Sequence, residues 1–477
     1  MQPSKYQKEI YRVFNTTNQN IIIKASPGSG KTHVLRELAK QAPAYKKVAF
    51  FAFNKTIADE LNDKTPTHVR CSTIHSLGAR ILFHHKNVQV RDTRIWGYIK
   101  QKYNSKNKLV KATIKELVDL YRLYLCKGKT ELEDLASHRG ISIQNGELNY
   151  AMNVIGMMEE ENERCIRPTN GIPKMYIDFV DMLYLPVKYD IPPMEMYDIV
   201  FVDEGQDMNP AQIALLDKVI KKRFIVVGDD KQAVYYFQGA TSTLFDKLAE
   251  RPNTVSLPLS ITYRCAKSIV KEAQKIFPKG IEPKEDAPDG EVRRGDVMEA
   301  KEGDMVLCRN NKPLIEVWVK MFEKGMNAHI YGKSLADQLN KIIDKVDGLS
   351  WIKANDVFQD KIDKDIEELS KRDVESPELH PKIQRYLENI EIIGILYAKF
   401  SSFAAIRAQM EKIFNDKRDG ITLITIHRSK GLESKRVFFH QKHLLPSKYA
   451  KGKEELYAEK CLEFVAVTRA KTELIYC

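Results

Sequence analysis

Long apolar runs are missing from this sequence. In 477 residues, no apolar stretch approaches the roughly 20 residues that a helix needs to cross a bilayer. The opening residues, MQPSKYQKEIYRVF, are polar and periodic and lack the apolar core of a secretory leader. Cysteine is sparse. Seven residues lie at 71, 126, 165, 265, 308, 461 and 477, an odd number with no C-x-x-C pair. That spacing gives neither a zinc site nor a disulfide framework, and a reducing compartment is the simpler reading. Internal repeats and low-complexity tracts are absent as well. The expectation is a soluble, intracellular chain.

What is present narrows the class further. Hydrophobic residues make up 43% and charged residues 29%, too apolar a mixture for a disordered chain. The length exceeds what one hydrophobic core usually supports, which implies roughly two to four domains. Lys and Arg total 76 against 64 Asp and Glu, a net charge of +12. The excess favours a polyanionic partner, nucleic acid or a membrane surface, without choosing between them.

Short runs such as Ile21–Ile23, Val48–Phe51, Ile199–Val202 and Phe224–Val227 read as buried strands, each ending at Gly, Asp or Asn. Amphipathic segments lie between them; Val34, Leu35, Leu38 and Ala39 form one apolar stripe. Strand–helix alternation implies a parallel α/β sheet covered on both faces. Two stretches interrupt it. Residues from about 80 to 180 read as helical and basic, with Lys100, Lys102, Lys106, Lys108, Lys111 and Lys115 close together. Residues from about 335 to 415 again read as helical, with mixed charge from Asp360 to Asp373 that suits a solvated face.

Ala25-Ser26-Pro27-Gly28-Ser29-Gly30-Lys31-Thr32 follows the first strand and opens a helix. That context is what a phosphate-cradling P-loop requires. Gly28 and Gly30 let backbone N–H groups turn inward around phosphate oxygens, and the helix N-terminus adds a favourable dipole. Lys31 would reach the β- and γ-phosphates, and the Thr32 hydroxyl would ligate Mg²⁺. Asp203-Glu204 closes the strand Ile199–Val202. A carboxylate there can hold Mg²⁺, and its neighbour can orient or deprotonate a water. These residues describe an Mg²⁺-dependent nucleoside triphosphatase.

Asp203-Glu204-Gly205-Gln206-Asp207 resembles motif II of the UvrD/Rep/PcrA-type superfamily 1 DNA helicases, and further segments match that family in order. Gln7 stands where a Q motif contacts adenine. Ala25–Thr32 resembles motif I, whose family form also begins with Ala. Phe53-Asn54-Lys55 resembles motif Ia, and Thr73-Ile74-His75-Ser76 motif Ib. Val227–Gln232, running through Tyr235 to Ala240, resembles motif III. Thr262-Tyr263-Arg264 resembles motif IV, Thr425–Glu433 motif V, and Val465–Ala470 motif VI. The wording of Ia and Ib is similar to that of F-box-type DNA helicases and short phage relatives.

The resemblance implies two RecA-like P-loop domains with parallel sheets, each carrying a short, mainly helical insertion. Residues 1–80 and 181–260 would form the first domain around an insertion at 81–180. Residues 261–334 and 416–477 would form the second around an insertion at 335–415. ATP would lie between the domains, held by Gln7, Ala25, Pro27, Gly28, Ser29, Gly30, Lys31 and Thr32, with Mg²⁺ on Thr32 and Asp203. Glu204 would be the base. Gln206 and Gln232 would sense the γ-phosphate, Tyr263 would stack on adenine, and Glu433 would contact the ribose. Arg264 and Arg469 would be arginine fingers, guanidinium forks for the charge on the transferring phosphoryl group.

Single-stranded DNA and junctions with duplex are the implied partners. Phe53, Asn54, Lys55, Thr73, His75, Thr425, His427 and Ser429 would contact the strand, and Tyr235 and Phe237 would stack on its bases. The implied activity is 3′→5′ translocation and unwinding by a monomer, in the cytoplasm, at the nucleoid, or in a host cytoplasm if phage-encoded. A protein-stripping translocase or the motor subunit of a replication, repair or defence complex is the alternative. Gln238 stands where the family usually has Arg, and Phe237 where Trp is common. The insertions are shorter than the family's large regulatory one, and no nuclease domain is expected after motif VI.

Overall fold

Short β-branched and aromatic runs form the strands of two parallel sheets in the computed structural model. The structure describes residues 2–477 except 53, 107, 140, 142, 144–145, 168–172, 233–241, 372–375, 418, 449 and 451. The chain divides into two units, Met1–Ser260 and Ile261–Cys477, and each is described by itself.

The strands of the first unit are β1 (Asn20–Ala25), β2 (Val48–Ala52), β3 (Val69–Thr73), β4 (Val88–Val90), β5 (Met175–Ile177), β6 (Tyr197–Val202), β7 (Ile220–Gly228) and β8 (Thr254–Leu259). Six of them form one sheet in the order β3-β2-β6-β7-β1-β8, every pairing parallel. Alternate residues of one strand therefore feed opposite cores. On β1, Ile21 and Ile23 pack on one face and Ile22 on the other. A sheet buried on both sides needs continuous apolar strands, which is why those runs read so plainly.

The helices of this unit are α1 (Lys5–Thr16), α2 (Lys31–Gln41), α3 (Lys55–Lys64), α4 (Ile74–His85), α5 (Arg94–Tyr103), α6 (Lys108–Tyr124), α7 (Lys129–His138), α8 (Glu147–Ile166), α9 (Phe179–Lys188), α10 (Pro210–Asp217) and α11 (Ser242–Ala249). α5 to α8 fill the region between β4 and β5, which pair with each other in a separate ribbon. A buried polar network holds these helices to α9. Arg94 donates to Asp181 and Asn162, each at 2.6 Å. Arg122 donates to Asp178 at 2.9 Å and Asp181 at 2.8 Å. Burial opposes ionisation of Asp181, yet Arg122 and Arg94 outweigh it and hold its carboxyl below the usual range. Such buried ion pairs add specificity of placement more surely than net stability.

Of the basic run, Lys100, Lys102, Lys106 and Lys108 are exposed. Lys115 pairs with Asp119, and Lys106 sits over the Tyr150 ring at 5.0 Å.

The second unit contains β9 (Ile261–Thr262), β10 (Glu282–Pro283), β11 (Glu291–Arg294), β12 (Met305–Cys308), β13 (Ala328–Tyr331), β14 (Phe414–Asn415), β15 (Ile421–Thr425), β16 (Ser434–Phe439) and β17 (Ala470–Tyr476). Seven of these form a second parallel sheet, ordered β11-β17-β16-β12-β15-β13-β14. Its helices are α12 (Lys267–Ile276), α13 (Asn311–Glu323), α14 (Lys333–Ile343), α15 (Trp351–Ser370), α16 (Pro381–Phe400), α17 (Phe403–Ile413) and α18 (Lys453–Val467). α14 to α17 lie between β13 and β14. Along α15, Lys364 pairs with Asp360 and Lys371 with Glu367, with all four side chains exposed, as on a solvated face. Among the described residues, no single helix is long and apolar enough to cross a membrane.

One close approach fixes α4 on α9. A Cβ added at Gly78 would stand 1.8 Å from the Met182 carbonyl oxygen and 3.1 Å from Leu215 Cδ2. Backbone cannot yield as a flexible side chain can. Gly78→Ala is expected to cost about 1–3 kcal/mol, as overpacking does, and to lower the melting temperature by several degrees. Thermal unfolding followed by circular dichroism checks this, and an unchanged midpoint would refute the tight crossing.

Candidate nucleotide-binding site

β1 ends at Ala25, and the turn that follows is anchored before it reaches the helix. Ser26 donates its N–H to the Leu259 carbonyl at 3.0 Å and its hydroxyl to the Ser260 carbonyl at 3.0 Å. Pro27 is buried. Gly28 and Gly30 then take φ of 69° and 82°, left-handed values that glycine adopts without strain. Between them Ser29 is fully buried. Its hydroxyl has no hydrogen-bond partner among the described residues. Gly30 caps α2 with no side-chain hydrogen bond, so the first N–H groups of the helix are left for an anion. An orphaned buried hydroxyl beside uncapped N–H groups fits a phosphate.

α2 begins with the two reactive side chains. Thr32 donates its hydroxyl to Asp203 Oδ2 at 2.6 Å, and the Lys31 ammonium lies 3.4 Å from Glu204 Oε1. β1 and β6 flank β7 in the sheet, so both loops leave the same C-terminal edge. Glu204 has φ 54°, a costly value for a non-glycine residue. Asp203 Oδ1 accepts the Glu204 N–H at 2.8 Å and steadies that turn.

From Glu204 a hydrogen-bonded chain runs sideways. Gln206 donates to Glu204 Oε2 at 2.7 Å, and its own oxygen accepts the Asp229 N–H at 2.8 Å. Gln232 donates to Asp229 Oδ2 at 2.6 Å. Asp229 is the residue that sequence reasoning passed over. The motif resemblance gives it no role, although it follows β7 as Asp203 follows β6. An acidic residue closing a buried strand was the available signal.

The electrostatics are lopsided. Burial, with Glu204 adding to it, pushes Asp203 up to about 6. Burial likewise pushes Asp229 up to about 6 despite Lys31 nearby. Burial alone would depress Lys31, but Glu204, Asp229 and Asp203 outweigh it and raise the ammonium above its ordinary value.

Other expected site residues fall into three groups. Gln7 is buried near the P-loop: a Cβ on Gly30 would lie 4.0 Å from its Nε2. Its oxygen accepts the Ser4 N–H at 2.9 Å in a capping box. At the same sheet edge, Asn54 and Thr73 serve as N-caps of α3 and α4, accepting the N–H groups of Ile57 and Ser76. Lys55 is exposed. His75 lines a small recess with Phe51, Ala52, Asp203, Glu204 and Gln212, and burial lowers its pKa.

In the second unit, Arg264 donates to Glu433 at 2.5 Å and to the Thr468 carbonyl at 3.2 Å. Tyr263 is half-buried beside it in sequence. Lys471 and Arg264 hold Glu433 below the usual carboxylate range, against the opposing effect of burial. Arg469 is buried, donating to the carbonyls of Val465 at 3.2 Å and Leu432 at 3.1 Å. Thr425 is buried at the end of β15. Ser429 is buried as well, its hydroxyl turned onto the Ile426 carbonyl at 2.8 Å. Burial, with Arg309 adding to it, lowers His427 to about 4. Phe53, Tyr235 and Phe237 lie outside the described residues.

Residues 6–253 match the family model of the UvrD/REP helicase N-terminal domain. The chain belongs to the UvrD/Rep helicase family. Residues 356–477 match the UvrD-like helicase C-terminal domain. Among curated relatives of this helicase family, F-box DNA helicase 1 of Gallus gallus is 27% identical over 468 residues, covering 90% of this chain and 44% of that protein. F-box DNA helicase protein 1 of Schizosaccharomyces pombe is 25% identical over 300 residues, 57% of this chain and 32% of that one. ATP-dependent DNA helicase PcrA of Bacillus subtilis is 26% identical over 299 residues, 55% and 38%. The chain thus spans between a third and a half of the length of these relatives.

The raised Asp229 carboxyl makes a checkable statement. Its pKa rises on folding from 3.8 to about 6. The stability it contributes is therefore present below 3.8 and lost as pH rises through 6. Asp229→Asn carries no such loss. The variant's stability relative to the parent should improve by about 2–3 kcal/mol between pH 4 and 7.5, read by urea denaturation. A difference that stays constant across that range would contradict the buried charge.

Proposed function

We propose that this chain is an ATP-dependent, Mg²⁺-requiring DNA helicase that moves along single-stranded DNA, in the 3′→5′ direction, and separates duplex at a junction. The observation that carries the reading is the continuous hydrogen-bonded chain from Glu204 through Gln206 and Asp229 to Gln232. It links Glu204, the carboxylate facing the P-loop lysine, to the segment that precedes Tyr235 and Phe237, the aromatics assigned to DNA. Hydrolysis and strand grip then share one set of side chains.

The residues divide the work as follows. N–H groups from Gly30 to Thr32 receive phosphate oxygens, joined by the Ser29 hydroxyl and the Lys31 ammonium. Thr32 and Asp203, side by side through their hydrogen bond, would hold Mg²⁺. The ion supplies charge neutralisation along the phosphates. Glu204 accepts the proton of the attacking water, held toward it by Gln206. Gln7 reads the adenine and Tyr263 stacks on it.

Arg264 and Arg469, carried by the second unit, are assigned to the charge on the transferring phosphoryl group. Glu433 is assigned to the ribose and already holds Arg264. Nucleotide arrival therefore competes for that carboxylate and frees the guanidinium. Asn54, Lys55, Thr73, His75, Thr425, His427 and Ser429 are assigned to the strand. The Asn54 and Thr73 side chains already accept the N–H groups of Ile57 and Ser76, so a bound strand would compete with those caps.

ATP turnover should rise strongly with an added oligo-dT, and Lys31→Ala should lower it by roughly 100-fold or more. Tailed fluorescent duplexes fix the rest. Unwinding of the 3′-tailed substrate alone is the expected outcome. Turnover that ignores DNA would end the motor reading. Stimulated turnover without separation of either duplex would favour a stripping translocase.

A further inference from the structure

The edge of the first sheet opposite the P-loop carries features that the motor does not use. All six strands are parallel, so the nucleotide residues lie at their C-terminal ends. The N-terminal ends of β2 and β6 are adjacent: Val48 pairs with Ile199, and the Asp198 N–H donates to the Lys47 carbonyl at 2.8 Å. Around this end stand three large exposed apolar side chains, Tyr45 at 85%, Met194 at 57% and Met196 at 44% exposure. Between the two methionines lies Glu195, which takes Lys47 at 3.1 Å and Arg70 at 3.2 Å. Arg80 is half-buried in the same cluster. Burial and the nearby Arg70 both disfavour its charge, against weaker help from Tyr197 and Glu195. Three cations thus share one carboxylate. Other charges at this end include Lys46, next to Lys47 in sequence, the Lys222–Asp198 pair at 3.3 Å, and Lys221, which also acts on Asp198; they leave the excess positive.

We propose that this edge docks an acidic peptide segment of a partner protein, whose carboxylates meet Lys47, Arg70 and Arg80 and whose apolar side chains cover Tyr45, Met194 and Met196. The charge excess selects an anionic partner. The thioethers select a protein over a nucleic acid. Methionine is an adaptable contact residue and tyrosine a rigid one, and both are enriched in protein interfaces, whereas strand-binding surfaces place aromatic rings in series along a groove. Guanidinium forks beside apolar anchors give carboxylates bidentate seats at the rim. With strands of five to nine residues, this edge stands roughly 15–30 Å from the P-loop edge, so a partner here leaves the nucleotide residues uncovered.

The test is fluorescence anisotropy on the full chain with a labelled 12-residue peptide that alternates Glu with Leu and Phe. Saturable binding is expected. It should weaken at least tenfold when Lys replaces Glu in the peptide, and equally when Ser replaces Leu and Phe. Two protein variants, Arg70→Ser and Tyr45→Ser with Met194→Ser, should each weaken it at least tenfold with unchanged melting temperature. All four positions are exposed or carry exposed side chains, so folding is not at stake, and Lys47→Ser serves if either variant melts early. Absence of saturable binding, equal binding by the variants, or equal binding of the control peptides would overturn the proposal. So would displacement by oligo-dT together with loss of oligo-dT affinity in Arg70→Ser, which would make the face a nucleic-acid surface.

Discussion

One ammonium and three carboxylates share a site that is largely closed to water. Lys31 faces Asp203, Glu204 and Asp229, and the sum is short of positive charge. Much of the surrounding design follows from that deficit. Thr32, Gln206 and Gln232 point hydroxyl and amide hydrogens at the carboxylates, which lowers the cost of burying them. Gly228 keeps room for Gln206, since a Cβ there would stand 2.7 Å from its Oε1. Gly205 is confined in the same way, since a Cβ there would stand 2.3 Å from Val226 Cγ1. Lys231 adds a weaker positive influence on Asp229. In the proposed reading a divalent cation held by Thr32 and Asp203 would offset part of that negative charge.

The second unit handles its charges differently. Arg264 is already matched by Glu433, and Arg469 by backbone carbonyls. These are pre-positioned groups that must trade partners to act elsewhere. Trading one hydrogen-bonded partner for another costs less than desolvating a free guanidinium. Such groups suit a cycle that repeats many times.

Much of this was legible from the chain. Apolar strands buried on both faces cannot hide, and a Gly-rich turn between such a strand and a helix has few other uses. The resemblance supplied the order of the motifs. Asp229 escaped because its importance comes from partners brought in from β6 and the P-loop, not from its neighbours. The capping work of Asn54 and Thr73 was also missed, although both precede helical segments. Residues read as ligand contacts can be occupied by their own backbone. The network of Arg94, Arg122, Asp178 and Asp181 was invisible for a plainer reason. Its members are up to 87 positions apart, and single charged residues in helices give no sign of which will be buried.

Gly78 has a mechanical meaning beyond packing. It cinches the middle of α4 to α9 with no side chain between. The first turn of α4 carries His75, which lines a recess together with Glu204. Asp178, the N-cap of α9, and Asp181 in its first turn anchor α5 and α6. The crossing therefore ties the sheet edge to the inserted helices through backbone, which has no rotamer with which to yield.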